Sequence, residues 1–330
     1  MKLQITHETC YDYLPPVDIA QHVSYLQPRD LPHQQLLSHS LMIEPTPAQQ
    51  IATQDVYGNT RQFFSLQNSH TQLKVVARSV VATRAQPLPQ SEISWEQVRE
   101  RFRYSTGCRY DAAAEFVFSS PYVPRHAAFA AYARPSFAAG TPLLLAARDL
   151  MSRIYRDFTY ESQSTQVNTP ALEALAQRKG VCQDFAHIMV ACLRVSGLPA
   201  RYISGYLLTH PAPGQPRLVG SDASHAWVSV YLPDLPEPER WCDFDPTNDR
   251  DGWGSPGEDY VTLAMGRDFA DVSPIRGVIH GGASHILSVG VTVEPWNRAP
   301  LASPQGTGQE SQSQGQSQGQ DQIQTQSTIN

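Results

Sequence analysis

Lysine is nearly missing from this 330-residue chain, occurring only at positions 2, 74 and 179. The 25 Lys and Arg are outnumbered by 31 Asp and Glu, and the net charge is −6. That balance lacks the clustered positive face a nucleic-acid partner requires. Cysteine is sparse as well: five residues at 10, 108, 182, 192 and 242, an odd number with no CxxC, form neither a disulfide framework nor a structural zinc set. Long apolar runs are absent. The most apolar stretch, 127–147, is broken by Arg134, Pro135 and Pro142, well short of the roughly 20 residues of a membrane span. Residues 1–7 contain no apolar leader, so a soluble protein of the reducing cytoplasm is expected, without a membrane partner. GxSxG, HExxH and the P-loop lysine are all missing. One GxGxxG occurs, Gly252 to Gly257, but it contains Pro256 and opens no helix after a strand. A dinucleotide is therefore not expected, and no other cofactor or metal is implied.

With 41% hydrophobic residues the chain can bury a sizeable core, and its length suggests two domains. From Leu3 to about Ala82 short β-rich runs alternate with turn signals at Pro15-Pro16, Pro45-Thr46-Pro47 and Gly58-Asn59, and Leu73 to Val81 is the clearest strand. This reads as an all-β domain over 1–83, a sandwich. A Pro/Ala-rich connecting segment with helices follows over 84–145, and the remaining core over 146–295. The tail from 296 is almost wholly Gln, Ser, Gly and Thr beyond Ser303 and is expected to be disordered. Within the core, Thr169-Pro170 reads as the start of a helix closed by Gly180. A second helix begins at Cys182; its apolar positions, from Phe185 to Val195, wrap nearly the whole circumference, so it is central. Strand-like segments follow at 201–208, 226–231, 241–245 and 285–293. A buried helix against an antiparallel sheet makes the fold class α+β.

Cys182 stands in the first turn of that helix, where unpaired backbone N–H groups and the positive end of the dipole favour a thiolate. His225 opens one strand and Asp245 closes another. A hairpin symmetric about Leu235 sets them directly opposite each other, on one face. A carboxylate there fixes the tautomer of the imidazole, leaving its other nitrogen for the thiol. Taken singly, each of the three has an ordinary structural reading; the combination points to catalysis. Cys192, Cys242 and His187 read as core, Asp184 as a partner of the helix dipole, and Trp227 and Trp241 as packing.

The segments Gly180-Val181-Cys182-Gln183-Asp184-Phe185-Ala186-His187, Arg201 to Tyr206, Ser224 to Val228 and Phe244 to Asn248 resemble the bacterial transglutaminase-like core. Tyr11 to Val17, Leu26 to Arg29 and Asp55 to Asn59 resemble the β-sandwich that often precedes it, and Gly266 to Val272 fits the family's C-terminal stretch. The resemblance covers roughly residues 1–295. It implies a papain-like fold with Cys182 as nucleophile, His225 as base and Asp245 as the orienting acid. The expected activity is a cysteine-dependent amide hydrolase, a peptidase or amidase working through a thioester on a protein or peptide substrate. Transfer of the acyl group to an amine is the alternative, and a non-catalytic binding module that keeps the fold is the rival from another class.

Overall fold

The computed structural model describes residues 1–103, 106–107, 110–161, 169–209, 224–237, 240–282 and 284–296. Cys108 and the tail read as disordered, apart from Trp296, lie outside these.

Five strands open the chain: β1 (Lys2–Ser24), β2 (Gln34–Glu44), β3 (Gln49–Gln54), β4 (Thr60–Leu66) and β5 (His70–Thr83). They form one sheet in the order β2-β5-β1-β4-β3. Residues 2–12 of β1 pair with β5, residues 20–24 with β4. The change of partner follows Pro15-Pro16, where two residues without N–H interrupt the ladder. The two halves of the sheet enclose a core of their own, with Tyr11, Tyr13, Val17, Phe64, Leu73 and Val75.

After α1 (Trp95–Arg101), α2 (Ala127–Ala133) and α3 (Leu143–Asp157), the short β6 (Thr159–Tyr160) leads to α4 (Ala171–Gln177), β7 (Lys179–Gly180) and α5 (Cys182–Val195). Helix α5 is buried at every position from Asp184 to Arg194. It packs on α2, α3 and α4 and, on its other side, on a five-stranded antiparallel sheet. That sheet comprises β8 (Ala200–Leu207), β9 (Ser224–Tyr231), β10 (Trp241–Asp245), β11 (Arg250–Trp253) and β12 (Tyr260–Gly266), in the order β11-β10-β9-β8-β12. The architecture is the α+β arrangement expected from sequence.

Three boundaries differ from expectation. The helix placed between Thr169 and Gly180 starts at Ala171 with Pro170 at the N-cap, and Arg178 in the left-handed region (φ 57°) ends it. Gly180 instead makes room for α5, since a Cβ there would sit 2.6 Å from Asp184 Oδ2. No joint falls at 145/146, because α3 spans it and α2 and α3 share one core with α5. The strand read at 285–293 does not extend the core sheet. After α6 (Phe269–Val272) the chain returns to the first domain. There β13 (Ile275–Gly281) pairs with the second half of β1, and β14 (Ser284–Pro295) with its first half. Without them β1 would present one edge of its ladder to solvent.

The first domain is fastened to the second at the edge strand β12. The side-chain amide of Gln34 donates to Thr262 O at 2.8 Å and accepts from Thr262 N at 2.7 Å; that of Asn59 does the same for Met265 at 2.8 and 2.9 Å. Two buried amides thus stand in for a neighbouring strand. Arg29 holds Asn59 Oδ1 at 2.6 Å and Tyr57 O at 2.8 Å.

Arg194 ties α5 to three other segments. Its guanidinium donates to Ala200 O, Phe118 O, Ser120 Oγ and Arg267 O at 2.6–3.2 Å while only 1% exposed. Arg194→Ala takes the donors away from the buried Ala200 carbonyl and from the part-buried carbonyls of Phe118 and Arg267, and is expected to lower unfolding free energy by about 3 kcal/mol. Urea denaturation measures it, and a change below about 1 kcal/mol contradicts the assignment.

Candidate active site

Cys182 is the first residue of α5 and half-buried, with its thiol directed at Ser224 O, 4.0 Å away. The turn that presents it is braced by Asp184, whose Oδ2 accepts from Val181 N at 2.9 Å, closing the helix entry. Sequence places Asp184 in the first turn as a partner of the helix dipole; the structure adds this capping bond.

Ser224 is followed by His225, so the thiol and the imidazole meet where α5 begins and β9 begins. His225 Nε2 donates to Asp245 Oδ2 at 2.7 Å, and both side chains are buried, 9% and 0% exposed. Nδ1, the nitrogen the carboxylate does not use, is left for Cys182. Burial works against the charged imidazole, but the charge and hydrogen bond of Asp245, joined by those of Cys182, prevail and raise His225 to about 10. Asp245 is held below the usual carboxylate range: burial opposes this, and His225, Asn248 and Tyr260 outweigh it.

The geometry corrects the expected register. The β9–β10 hairpin pairs Tyr231 with Trp241 and Val228 with Phe244, so it is centred on Pro236 rather than Leu235. Continuing that register sets Asp245 level with Trp227. His225 and Asp245 are therefore diagonal neighbours on one face, still within reach for an imidazole. The same diagonal recurs one step along, where Trp227 Nε1 donates to Asp243 Oδ2 at 2.7 Å. Asp243 also accepts from Ser229 Oγ at 2.5 Å. Burial pushes it up to about 6 against those bonds and the charge of Arg201.

Two residues without a predicted role complete the cluster. Asn248 Nδ2 and Tyr260 Oη each donate to Asp245 Oδ2 at 2.7 Å, and Thr247 N donates to Oδ1 at 2.8 Å. Asn248 lies three residues past Asp245, within the 244–248 segment that carries the family resemblance. Tyr260 arrives from β12 and had no such signal. Tyr160, half-exposed and paired with Gly180, adds an aromatic wall close enough for the charge of Cys182 to act on its phenol.

The remaining candidates are structural. His187 accepts from Phe269 N at 3.2 Å and stacks on Tyr202 with centroids 4.8 Å apart. Cys192 and Cys242 are buried in the main core, and Trp227 packs on Tyr260. Trp241 lies under the Arg201 guanidinium, 4.0 Å from the ring centroid. Gly252 and Gly254 of the GxGxxG segment serve a tight turn: a Cβ at Gly252 would meet Ser255 O at 2.0 Å, and Gly254 adopts φ +76°. Among the described residues no group of three His, Cys, Asp or Glu is arranged to hold a metal ion.

The model of the transglutaminase-like superfamily matches residues 130–246, and that of the bacterial transglutaminase-like N-terminal region matches 3–82. The chain belongs to the transglutaminase-like superfamily. An uncharacterized protein of Mycobacterium tuberculosis is 38% identical to it over 302 residues, 89% of this chain and 93% of that one. A solved protein of Cytophaga hutchinsonii, provisionally named a cysteine protease, shares the fold of this transglutaminase-like protein with a TM-score of 0.65 at 21% identity, over 92% and 94% of the two chains. A protein-glutamine gamma-glutamyltransferase of Pseudomonas aeruginosa is 31% identical over 107 residues, 30% of this chain and 15% of that protein.

Proposed function

We propose that this transglutaminase-like protein is a cysteine enzyme that cleaves amide bonds of a protein or peptide through a thioester on Cys182. The observation that carries the reading is the buried Asp245 carboxylate on His225 Nε2, with the same imidazole in hydrogen-bonding reach of a cysteine at a helix N-terminus. The Cys182 thiol gives its proton to His225, and the thiolate attacks the carbonyl carbon. The Cys182 backbone N–H, a donor of the first helical turn, receives the developing oxyanion. The intermediate collapses as the C–N bond breaks, and the imidazolium protonates the leaving amine. Water, deprotonated by His225, then attacks the thioester and frees the acid and the thiol.

Amine transfer is the second reading, favoured by the likeness of a third of the chain to the Pseudomonas aeruginosa gamma-glutamyltransferase. There an amine takes the place of water in the last step. The chemistry up to the thioester is common to both.

Iodoacetamide alkylation near pH 6 tests the reading without knowledge of the substrate. Cys182 is expected to react faster than an ordinary thiol, and His225→Ala to remove the advantage. Labelling at the ordinary rate, unchanged by that substitution, favours a non-catalytic module. A peptide-library digest with and without a primary amine, read by mass spectrometry, then separates hydrolysis from transfer.

A further inference from the structure

The oxygen that holds His225 is crowded. Asp245 Oδ2 accepts from His225 Nε2, Asn248 Nδ2 and Tyr260 Oη, each at 2.7 Å, while Oδ1 has Thr247 N. Asn248 and Thr247 belong to the turn after β10 and follow Asp245 wherever it goes. Tyr260 comes from the opposite edge of the sheet. Besides His225 itself, it is the side chain whose bond ties the carboxylate to a strand other than its own.

We propose that Tyr260 is a positioning residue that acts through Asp245, drawing charge from the carboxylate and so setting how firmly His225 holds its proton. The proposal rests on the catalytic reading of Cys182, His225 and Asp245. Tyr260 is 1% exposed, its ring packing edge-on against Trp227 at 5.4 Å and lying 5.9 Å from that of His225. Burial, then the charge of Asp245, hold the phenol far above its ordinary range, so it donates at every working pH. Its strand is fixed from outside by the Gln34 and Asn59 amides on Thr262 and Met265, which makes the first domain part of this support.

A carboxylate oxygen that accepts a third hydrogen bond is a weaker base and a weaker electrostatic partner. With the phenol present, the charge on Oδ2 is shared among three donors. Without it, more falls on the imidazolium, which then keeps its proton to higher pH and returns it less readily to a leaving amine. The other groups that face the pair are the Cys182 thiol from α5 and the Arg250 guanidinium from β11. Arg250 sits 4.8 Å from the Tyr260 centroid and is neutralised by a two-bond pair with Asp259 at 2.6 and 2.7 Å.

Tyr260→Phe deletes only the hydroxyl and keeps the ring packing, and circular dichroism is the check that the variant is folded. The pH profile of Cys182 alkylation by iodoacetamide provides the readout. The upper inflection, assigned to His225 by its loss in His225→Ala, is expected to rise by about half to one pH unit in Tyr260→Phe. Asn248→Ala, which removes another donor from the same oxygen, is expected to move it the same way. A purely structural tyrosine leaves that inflection in place, and an unchanged or lowered value overturns the role of Tyr260 alone. A wild-type profile with no inflection that depends on His225 overturns both this role and the catalytic reading.

Discussion

Asp245→Asn is expected to lower turnover by roughly 10³- to 10⁴-fold, the scale seen when the carboxylate of a triad becomes an amide. Asn keeps the shape, but loses the charge that outweighs the burial of His225, and its NH₂ can present a donor to Nε2–H. His225 then falls from about 10 toward or below its ordinary 6.5. The sign follows from linkage. A histidine raised in the folded state stabilises the protein fully below about pH 6.5 and loses that contribution as pH rises through its folded value. The substitution therefore also removes stability at neutral pH. Alkylation profiles of Cys182 check the first effect and urea titrations at pH 7 the second. Retention of the upper inflection near pH 10 in Asp245→Asn contradicts the arrangement.

The second large effect is acid unfolding. His7, His22 and His187 are buried at 1%, 1% and 2% exposure, and burial lowers them to about 4, 4 and 3; neighbouring charges, His70 on His22 and Arg194 on His187, add to the last two. In each the folded pKa is depressed below the unfolded 6.5, so the stability they allow is complete above 6.5 and is lost as pH falls toward 4. At the lower limit the penalty is roughly 3 kcal/mol apiece, against the 5–15 kcal/mol typical of a domain. Local structure gives the reason. His187 Nε2 must stay unprotonated to accept from Phe269 N, and His22 stacks on Phe64 with neither ring nitrogen hydrogen-bonded among the described residues. Asp243, raised to about 6, works the other way over the same range but is one group against three. Loss of near-ultraviolet dichroism is expected between pH 5 and pH 4, and His22→Phe is expected to lower that midpoint. A fold intact at pH 4 rejects the account.

The parts of the site that sequence made legible depend on local pattern. Cys182 stands two residues after a glycine and begins a helix whose apolar residues wrap all round. His225 and Asp245 flank a hairpin short enough to be read as one. Their side chains meet as expected although the backbone register differs, because a shift of two positions preserves the face and brings diagonal partners together. What the sequence hid is non-local. Tyr260 lies 15 residues beyond Asp245 in an edge strand on the far side of the sheet, and no periodicity links the two. For the same reason the strand at 284–295 was legible as a strand but not as a partner of residues 3–14, since alternation shows that a segment pairs and not with what.

That last pairing has a consequence for the order of assembly. Strand β1 completes its ladder only with β13 and β14, which follow all the strands and helices of the core in the chain. During synthesis the first 83 residues therefore emerge with one edge of β1 unpaired, and its ladder can be completed only once residues 275–295 have been made. A fragment ending before residue 275 keeps every residue of the cluster around Cys182, yet leaves the domain that braces Tyr260 unfinished.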